Sequence, residues 1–190
     1  MKHAASRELY AYWEERRGER AAPERAEIEP GAIRQSLGDA FILAVDPAAG
    51  YPFRLAGTRI CALFERELKG ESFLSLWDQT SRPAIADLLA ILRDEWVGTV
   101  AAVAASNGTG APLALELLLL PLNASRASLV RTIGVLAPLD VTQWVGAGPI
   151  GALALGTRRH VGAGTGARFL PRFMAPRSRR AFVVHEGGRS

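Results

Sequence analysis

Ala5, Leu9, Tyr12 and Trp13 recur at the spacing of one helical face, with Glu14, Glu15 and Arg17 mostly elsewhere. This predicts an amphipathic N-terminal helix that ends near Gly18. From Ala21 to Gly31 the periodicity stops, and Pro23, Pro30 and three glutamates predict a linker. Asp39–Val45 and Tyr51–Ala56 are bulky and β-prone, and Asp46-Pro47-Ala48-Ala49-Gly50 between them carries turn chemistry, so the pair predicts an antiparallel hairpin. Thr58 is placed to cap a short helix through Phe64, with Ile60, Leu63 and Phe64 as its buried side.

A stronger helix begins around Ser81, with Pro83 in its first turn and Ile85, Leu88, Leu89, Leu92 and Trp96 on one face. After Gly98 come three β-like runs, Thr99–Ser106, Pro112–Leu122 and Leu129–Leu139, separated by the turn sequences NGTG and NASRAS. They predict a meander of antiparallel strands. In the middle run Leu113, Leu115, Leu117 and Leu119 share one face, taken as the inner one, while Glu116 shares the other with Ala114, Leu118 and Leu120. Both faces are apolar, so the outer one needs a cover: the N-terminal helix, a second subunit, or both. The order of elements predicts an α+β fold with helices gathered on one face of an antiparallel sheet.

Composition adds limits. The chain has 190 residues, 48% hydrophobic and 22% charged, enough apolar material for one cored domain with extensions. A single cysteine, Cys61, excludes an internal disulfide and a Cys-rich zinc cluster. The opening residues carry charges of both signs rather than an apolar leader, and the uncharged stretches 97–115 and 141–157 are broken by turn residues, so the chain reads as cytoplasmic. The net charge of +4 is uneven: residues 145–190 hold eight arginines against Glu186 and carry +7. That tail interleaves Arg158–Arg180 with Phe169, Leu170, Phe173 and Met174, a pattern that suits nucleic acid or an anionic membrane surface. Pro171, Pro176 and nearby glycines break any clean amphipathic helix, so the favoured reading is a solvated extension that folds back, with Ala181–Val184 as a short strand.

The residues FRLAGTRICALFERELKGESFLSLW (Phe53–Trp77), with LYAYWEERRG near the start, GVLAPLD (Gly134–Asp140) and FVVHEGG (Phe182–Gly188), resemble a bacterial family of stand-alone PAS-like proteins. The resemblance implies a five-stranded antiparallel sheet with helices on one face, a small internal cavity, and dimerisation through the N-terminal helix. It divides the chain into a helix at 1–20, a sensory core at 33–140, and a basic Gly/Pro-containing extension at 141–190. It implies a non-enzymatic sensory role in which a small ligand alters contacts with a signalling protein. The alternatives are a ligand-free adaptor or a binder of nucleic acid or membrane through the tail. Flavin photochemistry is not expected, because Cys61 sits in ICALF rather than in the reactive-cysteine motif of the flavin subclass. Haem is not expected either, since His3, His160 and His185 fall outside the predicted core. The cofactor, if any, is left open.

No GxSxG elbow, GxxxxGK[ST] loop or HExxH helix occurs, and three scattered histidines give no metal-ligand spacing. Nothing in the sequence argues for catalysis. Arg54 and Arg59 flank the AGT segment and are candidates to pair with an anionic ligand group; the favoured alternative is an ion pair with Asp39, Glu65 or Glu67. Phe53, Phe64, Trp77, Trp96 and Leu115, with Phe73, are candidates to line the cavity, weighed against simply filling the core, which is favoured. Leu9, Tyr12 and Trp13 are candidate dimer contacts, balanced evenly against docking on their own sheet.

Overall fold

A computed structural model describes residues 1–106, 112–123, 131–140 and 148–162. Helix α1 (Ala4–Arg17) is followed by two short 3-10 turns, Arg25–Glu27 and Pro30–Ile33. Strands β1 (Ala40–Ala44) and β2 (Phe53–Ala56) form the expected hairpin. Helix α2 (Thr58–Phe64), a 3-10 turn at Phe73–Leu76 and helix α3 (Arg82–Glu95) come next. The chain ends its described part with β3 (Gly98–Ala105), β4 (Leu113–Leu122), β5 (Arg131–Pro138) and β6 (Ala154–Val161).

The strands form one antiparallel sheet in the order β2-β1-β5-β4-β3-β6. It therefore has six strands, where five were expected. The added strand lies in the stretch read as extension. It was hidden because β6 is an edge strand whose residues 156–159 are exposed on both faces, so no apolar alternation marks it. Arg158 and Arg159 on it are the kind of charge that discourages edge-to-edge pairing. The chain between β5 and β6 also closes the core: Ile150 N–H donates to Leu63 O at 2.8 Å, and Leu153 N–H to Leu76 O at 2.8 Å.

The two sheet faces carry separate cores. On the inner face Leu113, Leu115, Leu117 and Leu119 pack with α2, the Phe73–Leu76 turn and α3. On the outer face Leu118, Leu120 and Leu122 of β4 and Ile133, Val135 and Ala137 of β5 meet α1. Three local expectations need correction. Gly57, not Thr58, occupies the cap position of α2, because an added Cβ at Gly57 would lie 2.3 Å from the carbonyl oxygens of Leu37 and Gly38. Trp96 does not continue the buried face of α3. It ends that helix in the left-handed conformation (φ 57°), and this swings its half-buried ring to the outer core. The Ala21–Gly31 linker is not featureless: Pro23 O accepts from Asn123 N–H at 2.8 Å and Asn123 O from Arg25 N–H at 3.1 Å, which straps it to the end of β4. The turn NGTG, most of NASRAS, Gly146, and the tail beyond 162 with its expected strand lie outside the described residues.

Candidate functional site

The inner core is built around a chain of rings. Phe41 stacks on Phe73 at 5.5 Å, Phe53 meets both edge-on at 5.8 and 5.6 Å, and Phe73 meets Trp77 edge-on at 5.7 Å. Phe53, Phe64, Trp77 and Leu115 are all buried here, so four of the five apolar candidates share one core. Trp96 is the exception and lies across the sheet from them. Trp77 has a further property. Its indole Nε1 is buried and finds no hydrogen-bond partner among the described residues. Its own carbonyl is satisfied by Arg82 Nε at 2.8 Å, so the backbone is held while the ring's donor is left over. Thr132 Oγ1, on β5, is a second buried polar atom in the same condition.

Arg54 and Arg59 part company. Arg59 lies over Gly38 and donates to Asp39 twice, Nε to Oδ1 at 2.8 Å and Nη2 to Oδ2 at 2.6 Å, with Nη2 also reaching Gln35 O at 2.9 Å. This two-pronged bond to Asp39 raises the guanidinium's pKa. Arg59 is therefore held in a structural pair, which offsets the mildly unfavourable placement of a cation in the first turn of α2. Arg54 is exposed on β2, with no ion pair among the described residues, and is outside the inner core. Arg59→Ala is expected to destabilise the fold by about 1–3 kcal/mol, because Asp39, only 3% exposed, is left without its cation. A cycle with Asp39→Ala in urea denaturation checks this, and additive losses would reject the pair.

The N-terminal helix settles on its own sheet. Trp13 is fully buried and donates Nε1–H to Pro121 O at 2.8 Å, and Tyr12 Oη donates to Glu27 O at 3.0 Å and accepts from Glu29 N–H at 2.9 Å. Leu9 is likewise fully buried. The three candidate dimer side chains are thus taken by their own subunit, because the outer sheet face is apolar and α1 is tethered close to it by the linker.

Two cavities open on this outer side. One, of about 390 Å³, lies where the start of the chain meets β3, β4 and β6 and is flanked by Lys2, Arg158 and Arg159. The other, of about 320 Å³, lies between the linker and the β1–β5 part of the sheet. Neither includes Trp77, Phe53 or Phe64. Among the described residues, no group of three His, Cys, Asp or Glu side chains is placed to hold a metal, and no helix is long and apolar enough to cross a membrane.

A family model described as a PAS domain matches residues 1–137, most of the chain and all of the elements from α1 to most of β5. The chain belongs to the PAS domain family. PAS domains are in general sensory and regulatory. Among solved structures, the light state of the blue-light photoreceptor Aureochrome1 LOV is 14% identical, with a TM-score of 0.43 over 58% of this chain and 88% of that one. An RNA-binding light-oxygen-voltage receptor is 17% identical, with a TM-score of 0.44 over 62% of this chain and 35% of that one. No curated protein matches.

In this PAS protein α1 is seated by a residue that the sequence pattern does not single out. Glu116, buried on the outer face of β4, accepts from Lys2 N–H at 2.6 Å and His3 N–H at 3.0 Å, just ahead of the helix that His3 caps. Burial pushes its carboxyl up, but the Lys2 N–H, the nearby Ser6 hydroxyl, the His3 N–H and the terminal ammonium outweigh this and hold it below the ordinary value of 4.5. Its stabilising contribution is therefore complete above 4.5 and is lost as pH falls through the lower folded value. Glu116→Gln is expected to lower the urea midpoint at neutral pH and to flatten its decline as pH falls below 4.5. An unchanged pH profile would reject the seat. The only signal for it in the sequence was one acid among leucines at an outward position.

Proposed function

We propose that this PAS protein is a non-enzymatic, cytoplasmic regulator that senses a small ligand in its inner core and reports occupancy through protein–protein contacts. The observation that carries this reading is the unpartnered indole N–H of Trp77 inside the aromatic cluster. A buried donor left unmade costs about 1–3 kcal/mol, and a ligand acceptor entering beside the ring would remove that cost. Phe53, Phe64 and Leu115 would form the apolar wall around it. Ligand binding shifts the protein only as far as the ligand prefers one arrangement of sheet and helices over another. A homodimer and a separate signalling partner are part of this proposal, with contacts on surfaces other than Leu9, Tyr12 and Trp13.

A second reading, the ligand-free adaptor, is favoured by the close ring contacts of 5.5–5.8 Å, which leave the inner core well filled. Native mass spectrometry of gently purified protein, set beside its denatured mass, separates the two. A reproducible extra mass per subunit that is lost in Trp77→Phe supports the sensor. Bare subunits in parent and variant alike support the adaptor. The same spectra give the subunit count.

A further inference from the structure

The cavity between the linker and the sheet has an unusual lining for a surface feature. Ala40, Ile42 and Ile133 of β1 and β5 form one side, and Ile28, Ile33 and Leu37 of the linker form the other. At about 320 Å³ it is large enough for a small organic molecule. Leu55 at its edge is 42% exposed, the one large hydrophobic side chain so exposed among the described residues. Into this apolar enclosure comes one cation, Arg25. Among the described residues its buried Nε has no acceptor, and its other side-chain hydrogen bond is a long 3.4 Å one from Nη1 to Ile28 O. No carboxylate pairs with it among the described residues. Glu27, the nearest acid in sequence but one, is bound to Arg20 at 2.9 Å.

A guanidinium with an idle donor, at an otherwise apolar cavity, calls for an anion attached to an apolar body. We propose that this cavity binds a small monocarboxylic acid with an aliphatic or aromatic body, its carboxylate on Arg25 and its body between Ala40, Ile42, Ile133 and the linker. The site is on the opposite sheet face from Trp77 and is independent of the inner-core reading. It also touches the device that holds α1, since Tyr12 is bonded to Glu27 O and Glu29 N–H of the same linker. A ligand here would press on the segment to which the helix is tied.

Octanoate and its uncharged counterpart octan-1-ol, titrated calorimetrically into the full chain, test this. Octanoate is expected to bind saturably at one site per chain, about tenfold more tightly than octan-1-ol. Arg25→Gln is expected to erase that difference by weakening octanoate about tenfold. Ala40→Leu, which puts a larger side chain on the cavity floor, is expected to abolish binding of both. Absence of saturable octanoate binding to the parent, or octanoate affinity unchanged in Arg25→Gln, would overturn the proposal. If Ala40→Leu proves unfolded by circular dichroism, Arg25→Gln, at a half-buried side chain, decides the matter alone.

Discussion

Trp13→Ala is expected to be the most destabilising single truncation on the outer face, at about 3–5 kcal/mol. The ring is fully buried against the β4 and β5 side chains, its N–H is bonded to Pro121 O, and Arg17 lies over it at 5.4 Å. Removing it opens a cavity and strands a carbonyl, while α1 retains only Leu9, Tyr12 and smaller contacts to hold it down. Since a domain of this size has about 5–15 kcal/mol in hand, the loss is a large fraction of its stability. Urea denaturation gives the loss. Sedimentation shows whether the uncovered face of Leu118, Leu120 and Val135 makes the variant associate. A variant that keeps parental stability would mean that Trp13 is not seated on its own sheet in solution, and would return it to a contact between subunits. Trp13→Phe keeps most of the packing and is expected to lose about 1 kcal/mol, for the hydrogen bond.

Gly134→Ala is expected to be nearly as damaging, although it adds one methyl group. Gly134 sits in β5 between β1 and β4, and a Cβ there would lie 2.3 Å from Phe41 Cζ and 2.4 Å from Leu118 O. Phe41 has no room to retreat, because it is stacked on Phe73 and wedged against Phe53. The carbonyl of Leu118 is main chain in the central ladder and moves only if the strands part. A loss of about 3 kcal/mol or more is expected, at the top of the range for overpacking. Adding Phe41→Leu is expected to recover only part of it, since the carbonyl remains. Full recovery would show that the ring alone is the obstacle. A Gly134→Ala chain with a parental melting temperature would reject the close approach altogether.

Both effects turn on which surfaces meet, and that was the part hardest to see in the sequence. The α1 face of Ala5, Leu9, Tyr12 and Trp13 is plain from its spacing, and so is the alternation that sends Leu113, Leu115, Leu117 and Leu119 inward. What covers the outer face is not, because an apolar stripe buries equally well against its own sheet or another chain's. Trp96 departs from the face its spacing predicts for a related reason: periodicity extends a helix to any apolar residue in phase and cannot see the left-handed turn that ends it. β6 carried no alternation to read, since neither of its faces is well buried. Arg59 pairing with Asp39 was open to inference from charge and helix polarity, whereas the idle Arg25 and the orphaned Trp77 N–H were not.

Local sequence thus determined the elements and their faces: the hairpin, α3 from Ser81 onward, and the two apolar sides of β4. These follow from side-chain period and turn chemistry within a few residues. The tertiary structure decided the rest: α1 on its own sheet, Glu116 under its N-terminus, the sixth strand, the chain at 150–153 closing the inner core, and the linker roofing a cavity beside Arg25. Each of these depends on groups far apart in sequence finding, or failing to find, a partner. A residue's spacing says which way it points, but only the folded chain says what is there to meet it.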